Sequence, residues 1–269
     1  MLTHLNLLVN ACCSVHWFRI TDDAVHLSVL PLFHITGLVH SMAAPIYSGT
    51  TMLLLSRFDA ATALQAIDKY KVSNWVGITR MNIAIINHPD LSKYNIHTLR
   101  VCVSGGAPIP IGVLEKHREL TGTNLVEGYG LSETASTVAN NPLERPKFGS
   151  VGIPVFGVDV KIVDLEDPTK ELPTGSEGEL WVRGPMVMKG YWRRQIDTAE
   201  VLQDGWLATG DIAKMEHEGY LYILGRKKEL IKCSGFSVFP SEVESLLHAH
   251  PAVAMCAVVG VPDPYRGDS

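Results

Sequence analysis

One segment of the chain holds the side chains best suited to nucleotide chemistry. Residues 127–134, EGYGLSET, combine a flexible backbone, a ring that can stack on a base, a hydroxyl that can bind phosphate and a carboxylate. Proteins commonly hold Mg²⁺ with one or two carboxylates plus substrate phosphates, which makes Glu133 a candidate metal ligand. The segment therefore predicts a site for a nucleoside triphosphate. A helix capped by Ser132, with Glu133 at its positive end, is the structural alternative.

Two further segments place glycine beside polar groups. Residues 104–108, SGGAP, follow a predicted strand, and their glycines would let a flat ligand approach the backbone, although a tight strand-to-helix turn is the plainer explanation. In Thr209-Gly210-Asp211 a carboxylate follows a glycine turn, where it can hydrogen-bond ribose hydroxyls or simply cap the turn. The 11 histidines show no metal-ligand spacing. His34, which lies at a predicted sheet edge, is the histidine singled out as a functional candidate. A structural role is the alternative.

The elements that must position these residues form an α/β pattern. Short β-rich apolar runs alternate with helical stretches from Ala24 to about Gly130, which is typical of a parallel sheet with flanking helices. One helix is expected behind an Asp59 cap and another from Ile111. Ligands of open α/β sheets bind at the carboxyl ends of the strands, where the glycine segments fall. The predicted strands are His26–Leu30, Thr51–Leu55, Val72–Ile78, Leu99–Val103 and Asn124–Val126.

Turn-forming residues near Asn140 indicate a change of architecture. Apolar and polar residues then alternate with period two around Val160 and Val182, which predicts a small antiparallel β-barrel. From residue 225 onward, a helix near Pro240 and a strand over Val253–Val259 predict the start of a small α+β C-terminal domain. The expected domain limits are 1–145 for the α/β part, 146–224 for the barrel and 225–269 for the terminal part.

Composition excludes several classes of protein. With 23 Lys and Arg against 28 Asp and Glu, the formal net charge of -5 disfavours nucleic acid as a partner. The longest apolar run, Ala252–Val261, is far shorter than the roughly 20 residues that span a bilayer, so no transmembrane segment is expected. Residues 1–4 lack the cationic front of a signal peptide, and the 5 scattered cysteines fit reduced thiols. A cytoplasmic location is predicted.

Five motifs follow one another along almost the whole chain. They are PLFHITG at 31–37, GGAP at 105–108, GYGLSE at 128–133, TGD at 209–211 and a run from Gly225 to Glu244 that begins GRKKELIK. In this order they closely resemble the adenylate-forming (AMP-binding) acyl-CoA synthetase superfamily. Among its branches the sequence looks most like a bacterial fatty-acyl-CoA ligase, because GSVGIP at 149–154 and GELWVRG at 178–184 also fit.

The resemblance implies an AMP-forming acid-thiol ligase that uses ATP, Mg²⁺ and coenzyme A. A carboxylate, most simply that of a fatty acid, attacks the α-phosphate of ATP, releases pyrophosphate and leaves an acyl-adenylate. The thiol of coenzyme A then displaces AMP. The carboxylate itself has no good leaving group, whereas the mixed anhydride has one. Catalysis is expected to rest on positioning and charge stabilisation.

The same resemblance assigns roles to individual residues. Ser132 would bind phosphate, Glu133 would hold Mg²⁺, and His34 would stand as a gate between the acyl pocket and the adenylate. Together with Lys232, on the face that serves thioester formation, these form the expected catalytic set. The expected cofactor-binding residues are Gly106, Ala107 and Pro108 along the adenine, Glu127, Gly128, Tyr129, Gly130 and Ser132 around the base and phosphates, Asp211 and Arg226 at the ribose, Lys228 at the domain hinge and Gly235 beside the pantetheine arm.

The chain also departs from the family pattern. Ser132 stands where threonine is commoner, Thr79-Arg80 replaces the usual Pro-Thr before Met81, and Ser234 stands where several relatives have lysine. The phosphate loop expected before residues 1–4 and the lysine expected beyond residues 262–264 are both missing. The sequence is therefore interpreted as a fragment with little adenylation activity of its own.

Three other functions stay open at this stage. An aryl or other carboxylate could replace the fatty acid, because pocket shape and not the shared motifs sets that choice. A non-catalytic relative could bind AMP or a partner protein, and an unrelated α/β binding protein could carry the same glycine turns. A homodimer is the oligomeric state that we consider.

Overall fold

The computed structural model describes residues 1–106, 109–234, 236–248, 250, 252–253, 255–263 and 267–268. The strands of these residues form three sheets that follow one another along the chain. The first sheet has seven strands in the order β2-β1-β3-β4-β5-β6-β7. These strands are β1 (Val25–Ser28), β2 (Thr51–Leu54), β3 (Asn74–Ile78), β4 (Val101–Gly105), β5 (Leu125–Leu131), β6 (Ser136–Asn140) and β7 (Ile153–Pro154).

The predicted parallel sheet with flanking helices is confirmed for β1 to β5. All pairings among these five strands are parallel. The helices that precede, separate or follow the strands of this sheet are α1 (His4–Trp17), α2 (Ile35–Leu38), α3 (Ala44–Ser48), α4 (Ala60–Tyr70), α5 (Thr79–Ile86) and α6 (Ile111–Thr121), with a π-helical turn at Val39–Ala43. The expected cap of α4 is present, because Asp59 accepts a hydrogen bond from the Thr62 N–H at 2.8 Å.

The last two strands, β6 and β7, make the first sheet mixed. β5 turns back into β6, and β6 pairs with β7, so both pairings are antiparallel. β5 extends to Leu131, five residues beyond the predicted strand end at Val126. β7 lies after residue 145, so a segment beyond the expected first domain limit joins the first sheet. The three domain limits remain predictions.

Helix α1 was not predicted. It begins with a capping box in which Thr3 and Asn6 exchange hydrogen bonds, and it buries Asn10 completely. The amide of Asn10 donates to the carbonyl oxygens of Thr134 and Thr137 at 3.2 and 2.9 Å. Because a buried polar side chain needs partners, these bonds fix α1 against the β5–β6 hairpin. The buried face includes asparagine and cysteine, so the sequence lacks the apolar periodicity from which a helix is predicted.

The second sheet is antiparallel, as predicted. Its centre is the long β11, which pairs with β9 on one side and with β10 and β12 on the other, while β8 pairs with β9. Val138 and Ala139 of β6 pack into the core of this sheet, which joins it to the first. The strands and the helix beside them are β8 (Asp159–Val163), β9 (Glu177–Arg183), α7 (Gln195–Val201), β10 (Leu202–Gln203), β11 (Trp206–Met215) and β12 (Leu221–Arg226).

Among its described residues, the terminal part contains a small sheet and one helix, consistent with an α+β start. The sheet order is β14-β13-β16-β15. The strand predicted over Val253–Val259 is wrong for its described residues, which have no strand assignment. There the Val258 N–H donates to Glu244 Oε1 at 2.9 Å, so this stretch binds the helix and not a neighbouring strand. The elements are β13 (Ile231–Cys233), β14 (Phe236–Val238), α8 (Pro240–His248), β15 (Pro262–Asp263) and β16 (Gly267–Asp268).

Two further expectations can be checked against this fold. All five cysteines are free thiols. Within the described ranges, no helix is both long and apolar enough to cross a membrane.

Three buried histidines make stability depend on pH. Burial lowers the pKa of His26 from 6.5 to about 3, and that of His40 and of His117 from 6.5 to about 4. Below pH 6.5 the unfolded chain takes up protons that the folded chain refuses, so the free energy of unfolding falls as the pH falls toward 4.

We expect His117→Gln to reduce the loss of stability between pH 7 and pH 5.5 by about 1 kcal/mol, measured by urea unfolding at both values. The buried imidazole no longer distinguishes the folded from the unfolded chain in this variant. His217→Gln, at an exposed position, is the matched control. Equal losses in His117→Gln and in the unchanged chain would exclude His117 as a source of the pH dependence.

Candidate active site

A cleft opens at the carboxyl ends of β4 and β5, between the first two sheets. Its walls come from the start of α2, the ends of both strands, the β5–β6 hairpin and the last residue of β12. Because parallel strands end at one edge of the sheet, residues far apart in sequence meet here. The residues of the expected site that line the cleft are His34, Gly106, Gly128, Tyr129, Gly130, Ser132, Glu133 and Arg226.

Glycine is required at two positions of this wall. Gly106 has φ +87°, a left-handed conformation that residues with a Cβ rarely adopt. At Gly130, a Cβ would overlap the carbonyl oxygen of Ser136 in the paired strand. Two of the glycines in the predicted motifs therefore serve the shape of the cleft wall.

Tyr129 and Arg226 form one polar network around the buried carboxylate of Asp211. The Tyr129 hydroxyl donates to Asp211 Oδ2, and Arg226 Nε lies 3.0 Å from Asp211 Oδ1. Asp211 is 4% exposed and lies behind Tyr129 and Arg226, outside the cleft lining. In this structure the carboxylate therefore holds the ring and the guanidinium that do face the cleft.

Burial and pairing act in opposite directions on this network. Burial raises the pKa of Asp211, and the hydrogen bond from Tyr129 and the charge of Arg226 lower it. The pKa of Tyr129 is raised well above its ordinary value, first by burial and then by the neighbouring Asp211 charge. Tyr129 therefore stays a neutral hydrogen-bond donor, which suits a ring that stacks on a base.

Glu133 lies at the mouth of the cleft on a single 3₁₀ turn, Ser132–Thr134. Its carboxylate accepts a hydrogen bond from the Tyr191 hydroxyl at 2.8 Å, and its carbonyl oxygen accepts one from the Met188 N–H at 2.7 Å. Burial and the Glu133 carboxylate together raise the pKa of Tyr191 to about 12. The alternative in which Ser132 caps a helix is wrong, because the turn has only three residues and Ser132 is exposed to the cleft.

Glu127 lies beside the cleft and not in its lining. Its side chain is 7% exposed, and Oε1 accepts the Ile109 N–H at 3.0 Å. Burial raises the pKa of this carboxyl, and two backbone hydrogen bonds oppose the rise. The described contacts of Glu127 therefore shape the loop after β4.

His34 is exposed at the cleft entrance. It caps α2, because its Nδ1 accepts the Thr36 N–H at 3.2 Å. This contact supports the structural role that the sequence left open. It involves Nδ1 and not Nε2 of the exposed ring. Both the structural and the gating interpretation fit the position.

The remaining predicted residues lie away from the cleft or outside the described residues. Lys228 is on the 3₁₀ turn that follows β12, and Lys232 is on β13, where Nζ is 3.5 Å from Glu166 Oε1. Neither lysine lines the cleft. Ala107, Pro108 and Gly235 lie outside the residues that the structure describes.

Five buried polar residues of the cleft were not among the predicted site residues. They are His40, Ser104, Ser136, Thr137 and Asn140, of which Ser104 begins the predicted glycine segment. Ser136 has φ +98°, which is rare for a residue other than glycine. The only signal in the sequence was a histidine within the apolar stretch that follows His34.

Comparison with known proteins agrees with this geometry. Residues 1–192 match the model of the AMP-binding enzyme family, and residues 242–269 match that of the AMP-binding enzyme C-terminal domain. The chain belongs to the AMP-binding enzyme family. The resemblance inferred from the five ordered motifs is thereby confirmed.

Relatives of this AMP-binding chain include two kinds of ligase. It is 42% identical to a long-chain-fatty-acid–CoA ligase of Bacillus subtilis, over 100% of this chain and 48% of the relative. It is 38% identical to a feruloyl-CoA synthase of Amycolatopsis, over 100% of this chain and 54% of the relative. The chain thus spans about half the length of the curated relatives that it matches.

A solved structure of the AMP-binding fold superposes closely on the chain. It is O-succinylbenzoate coenzyme A synthetase from Bacillus subtilis, in complex with ATP and a magnesium ion. The TM-score is 0.90 at 33% identity, over 98% of this chain and 55% of the other. The predicted fold class is therefore confirmed.

The donors of the cleft fit a nucleotide with Mg²⁺. Glu133 supplies one carboxylate, and the described residues contain no group of three or more His, Cys, Asp or Glu side chains that could hold a metal ion. A cation here would take its other ligands from phosphates and water, as Mg²⁺ does in nucleotide sites.

We expect Glu133→Gln to abolish the strengthening of ATP binding by Mg²⁺, a loss of about tenfold in affinity. The amide removes the anionic oxygen that a hard cation prefers. Titration of the chain with ATP, with and without MgCl₂, measures the effect. Tyr191→Phe is the matched control, because it removes the hydroxyl bonded to Glu133 and keeps the carboxylate. The same Mg²⁺ enhancement in Glu133→Gln and in the unchanged chain would remove Glu133 from the metal role.

Proposed function

We propose that this chain carries the adenylate site of an AMP-forming ligase that activates a fatty acid with ATP and transfers it to coenzyme A. The observation that supports this most is the meeting of Tyr129, Glu133, Arg226 and His34 in one cleft at the strand ends. They supply a stacking ring, a carboxylate for Mg²⁺, a cation and an imidazole at the entrance.

The proposed reaction asks mainly for positioning. ATP supplies the leaving group, pyrophosphate, when the carboxylate oxygen attacks its α-phosphate. Tyr129 stacks on the adenine, Gly106 and Gly128 let the base lie against the backbone, and Asp211 with Arg226 holds the ribose. Since attack and departure occur at one phosphorus atom, fixing the nucleotide in this way accounts for much of the expected rate enhancement.

Phosphate contacts form the second part of the proposal. Ser132 and Gly130 bind phosphate oxygens, Glu133 carries Mg²⁺, and Glu127 with Ala107 and Pro108 completes the adenine wall. The described bond from Ile109 to Glu127 supports this, because it ties the residue that follows Pro108 in the chain to β5. His34 gates the passage between adenylate and acyl group, as its place at the cleft entrance allows.

The second half-reaction involves the terminal part of the chain. Lys228 lies on the turn after β12 and is proposed as the hinge, since one or a few residues suffice to absorb such a rotation. Lys232 and Gly235 are proposed for the face that receives coenzyme A. The domain limits at 145 and 224, a homodimer and a cytoplasmic location belong to the same proposal.

Pyrophosphate release tests the function. The chain is assayed alone and joined to the segments by which the Bacillus subtilis relative is longer, with that relative assayed in parallel. We expect pyrophosphate release from the joined protein, the chimera, to depend on an added carboxylate and to be greater with fatty acids than with ferulate. Greater release with ferulate would favour an aryl substrate, in line with the 38% identical feruloyl-CoA synthase. No carboxylate-dependent release, from a chimera that still binds AMP, would contradict the proposal.

A further inference from the structure

His40 lines the cleft and also a second, smaller cavity of about 10 Å³, and the two share His40 and Val76 in their linings. The other lining residues of this second cavity, here called the inner cavity, include Ser14 and His26. His40 is therefore a side chain that faces both spaces.

Hydrogen bonds hold the His40 ring across this boundary. On one side, Nδ1 lies 3.1 Å from the Ser14 hydroxyl, which lines the inner cavity. On the other, Nε2 lies 3.1 Å from the Ser136 hydroxyl and 2.9 Å from the Thr137 hydroxyl, which line the cleft. A ring bonded at both nitrogens and 6% exposed has little freedom to swing aside.

The position of this ring bears on the acyl group of the proposed reaction. The nucleotide is assigned to the glycine-rich wall, Tyr129 and Arg226. An acyl group attached to the α-phosphate has to occupy the part of the cleft that the nucleotide leaves free, and both His34 and His40 line that same cleft. At His40 the acyl group meets a polar, hydrogen-bonded barrier instead of a continuous apolar tunnel.

We propose that His40 is a specificity-determining residue that limits the length of the acyl chain. The inference rests on the proposed function, and it assigns shorter acyl groups to the unchanged chain. A longer chain would have to displace an imidazole whose three hydroxyl partners would be left buried and unpaired, which costs free energy for each group. Removing the ring would join the cleft to the inner cavity and admit more methylene groups.

The inner cavity is by itself too small for an acyl extension, at about 10 Å³, so the added room in a variant without the ring comes mainly from the space of the imidazole. Val76 and Val101 line it on the side of the sheet, and Phe18, Ile20, Ala44 and Pro45 line it on the side of the helices. Its polar members include His26, whose Nε2 has no hydrogen-bond partner in the described part of the chain. The apolar members give the added methylene groups a surface to bury against.

Binding of acyl-sulfamoyl adenosines with acetyl, butanoyl, hexanoyl and octanoyl chains tests the proposal. For the 269-residue chain we expect affinity to fall by about tenfold or more from butanoyl to octanoyl. In His40→Ala the octanoyl analogue should bind at least as tightly as the butanoyl one. Ser14→Ala is the matched control, because it removes one partner of the ring but leaves the ring itself, and it should keep the original preference.

Titration with AMP distinguishes a failure of the role of His40 from a failure of the proposed function. AMP should bind to His40→Ala with the same affinity as to the unchanged chain. If the alanine variant no longer binds AMP, His40→Ser provides a second variant that also removes the ring but places a hydroxyl at this position. The same length preference in the unchanged chain and in the opened variants would overturn the role of His40 while leaving the proposed function intact. Failure of AMP and every analogue to bind the unchanged chain would overturn the proposed function, and this inference with it.

Discussion

Replacement of Asp211 by alanine should weaken AMP binding to this chain by about 100-fold. The carboxylate is buried, accepts the Tyr129 hydroxyl and pairs with Arg226 at 3.0 Å. Its removal deletes the proposed ribose acceptor and also frees the two side chains that form the cleft wall. Hydrogen bonds to charged groups contribute about 1.5–3 kcal/mol each, and about 2.7 kcal/mol corresponds to 100-fold in affinity.

The Asp211 prediction has a matched control in the same sheet. Asp159 also pairs with an arginine, since Arg183 donates to Asp159 Oδ2 at 3.1 and 2.9 Å, but both side chains are well exposed. Asp159→Ala should leave AMP affinity unchanged. Isothermal titration gives the affinities, and thermal unfolding of the same samples confirms that the variants are folded. Equal AMP affinity in folded Asp211→Ala and in the unchanged chain would remove Asp211 from the binding site.

Gly152→Ala should lower the free energy of unfolding by about 3 kcal/mol or more. Gly152 has φ +86°, and a Cβ there would overlap the backbone of Asn140 and Asn141. Its carbonyl oxygen accepts the Leu221 N–H at 2.8 Å, so Gly152 lies where the first sheet meets the second. Strain from a Cβ in the left-handed region and steric overlap with backbone atoms add together.

Gly149→Ala separates these two contributions. Gly149 has φ +81°, but no atom lies within 4 Å of a Cβ placed there. The loss should therefore be about 1 kcal/mol, from backbone conformation alone. Urea unfolding of both variants at one pH measures the difference. Equal losses would show that the close approach of Gly152 to β6 contributes nothing to stability.

The first five strands were predictable because each is a compact apolar run bounded by turn residues. Val101 and Val103 of β4 and Trp75 and Val76 of β3 are buried, so their sequence already shows where they pack. The alternation of β8 and β9 was equally visible, because Ile162, Leu180 and Val182 pack into one core. The other face of β9 is not exposed as such a pattern predicts, since Glu179 and Trp181 are buried as well.

The pairing of β6 was not predictable from its residues. Ser136, Thr137 and Asn140 are polar, yet all are buried. Ser136 and Thr137 occupy the interior because His40 and Asn10, from distant parts of the chain, supply their hydrogen bonds. A pattern of hydrophobicity along one segment carries no record of such partners, so the segment looks like a loop.

The candidate site shows the same division. Glycine motifs located the cleft, because a ligand at strand ends needs close backbone approach. The placement of Asp211 behind Tyr129 depends on the register of β11 with β12, in which Asp211 lies opposite Arg226. That register is set by tertiary packing, and so are the contacts of Glu127 with the loop after β4 and of His40 with both cavities.

Hydrogen–deuterium exchange with and without AMP tests most directly whether the cleft is an adenylate site. Backbone amides that line it should exchange more slowly when AMP is bound, above all those of residues 104–106 and 128–133. Amides of the edge strand Asp159–Val163 should be unaffected and provide the internal reference. Protection confined to residues outside the cleft, or no protection at an AMP concentration that saturates the chain, would contradict the proposed site.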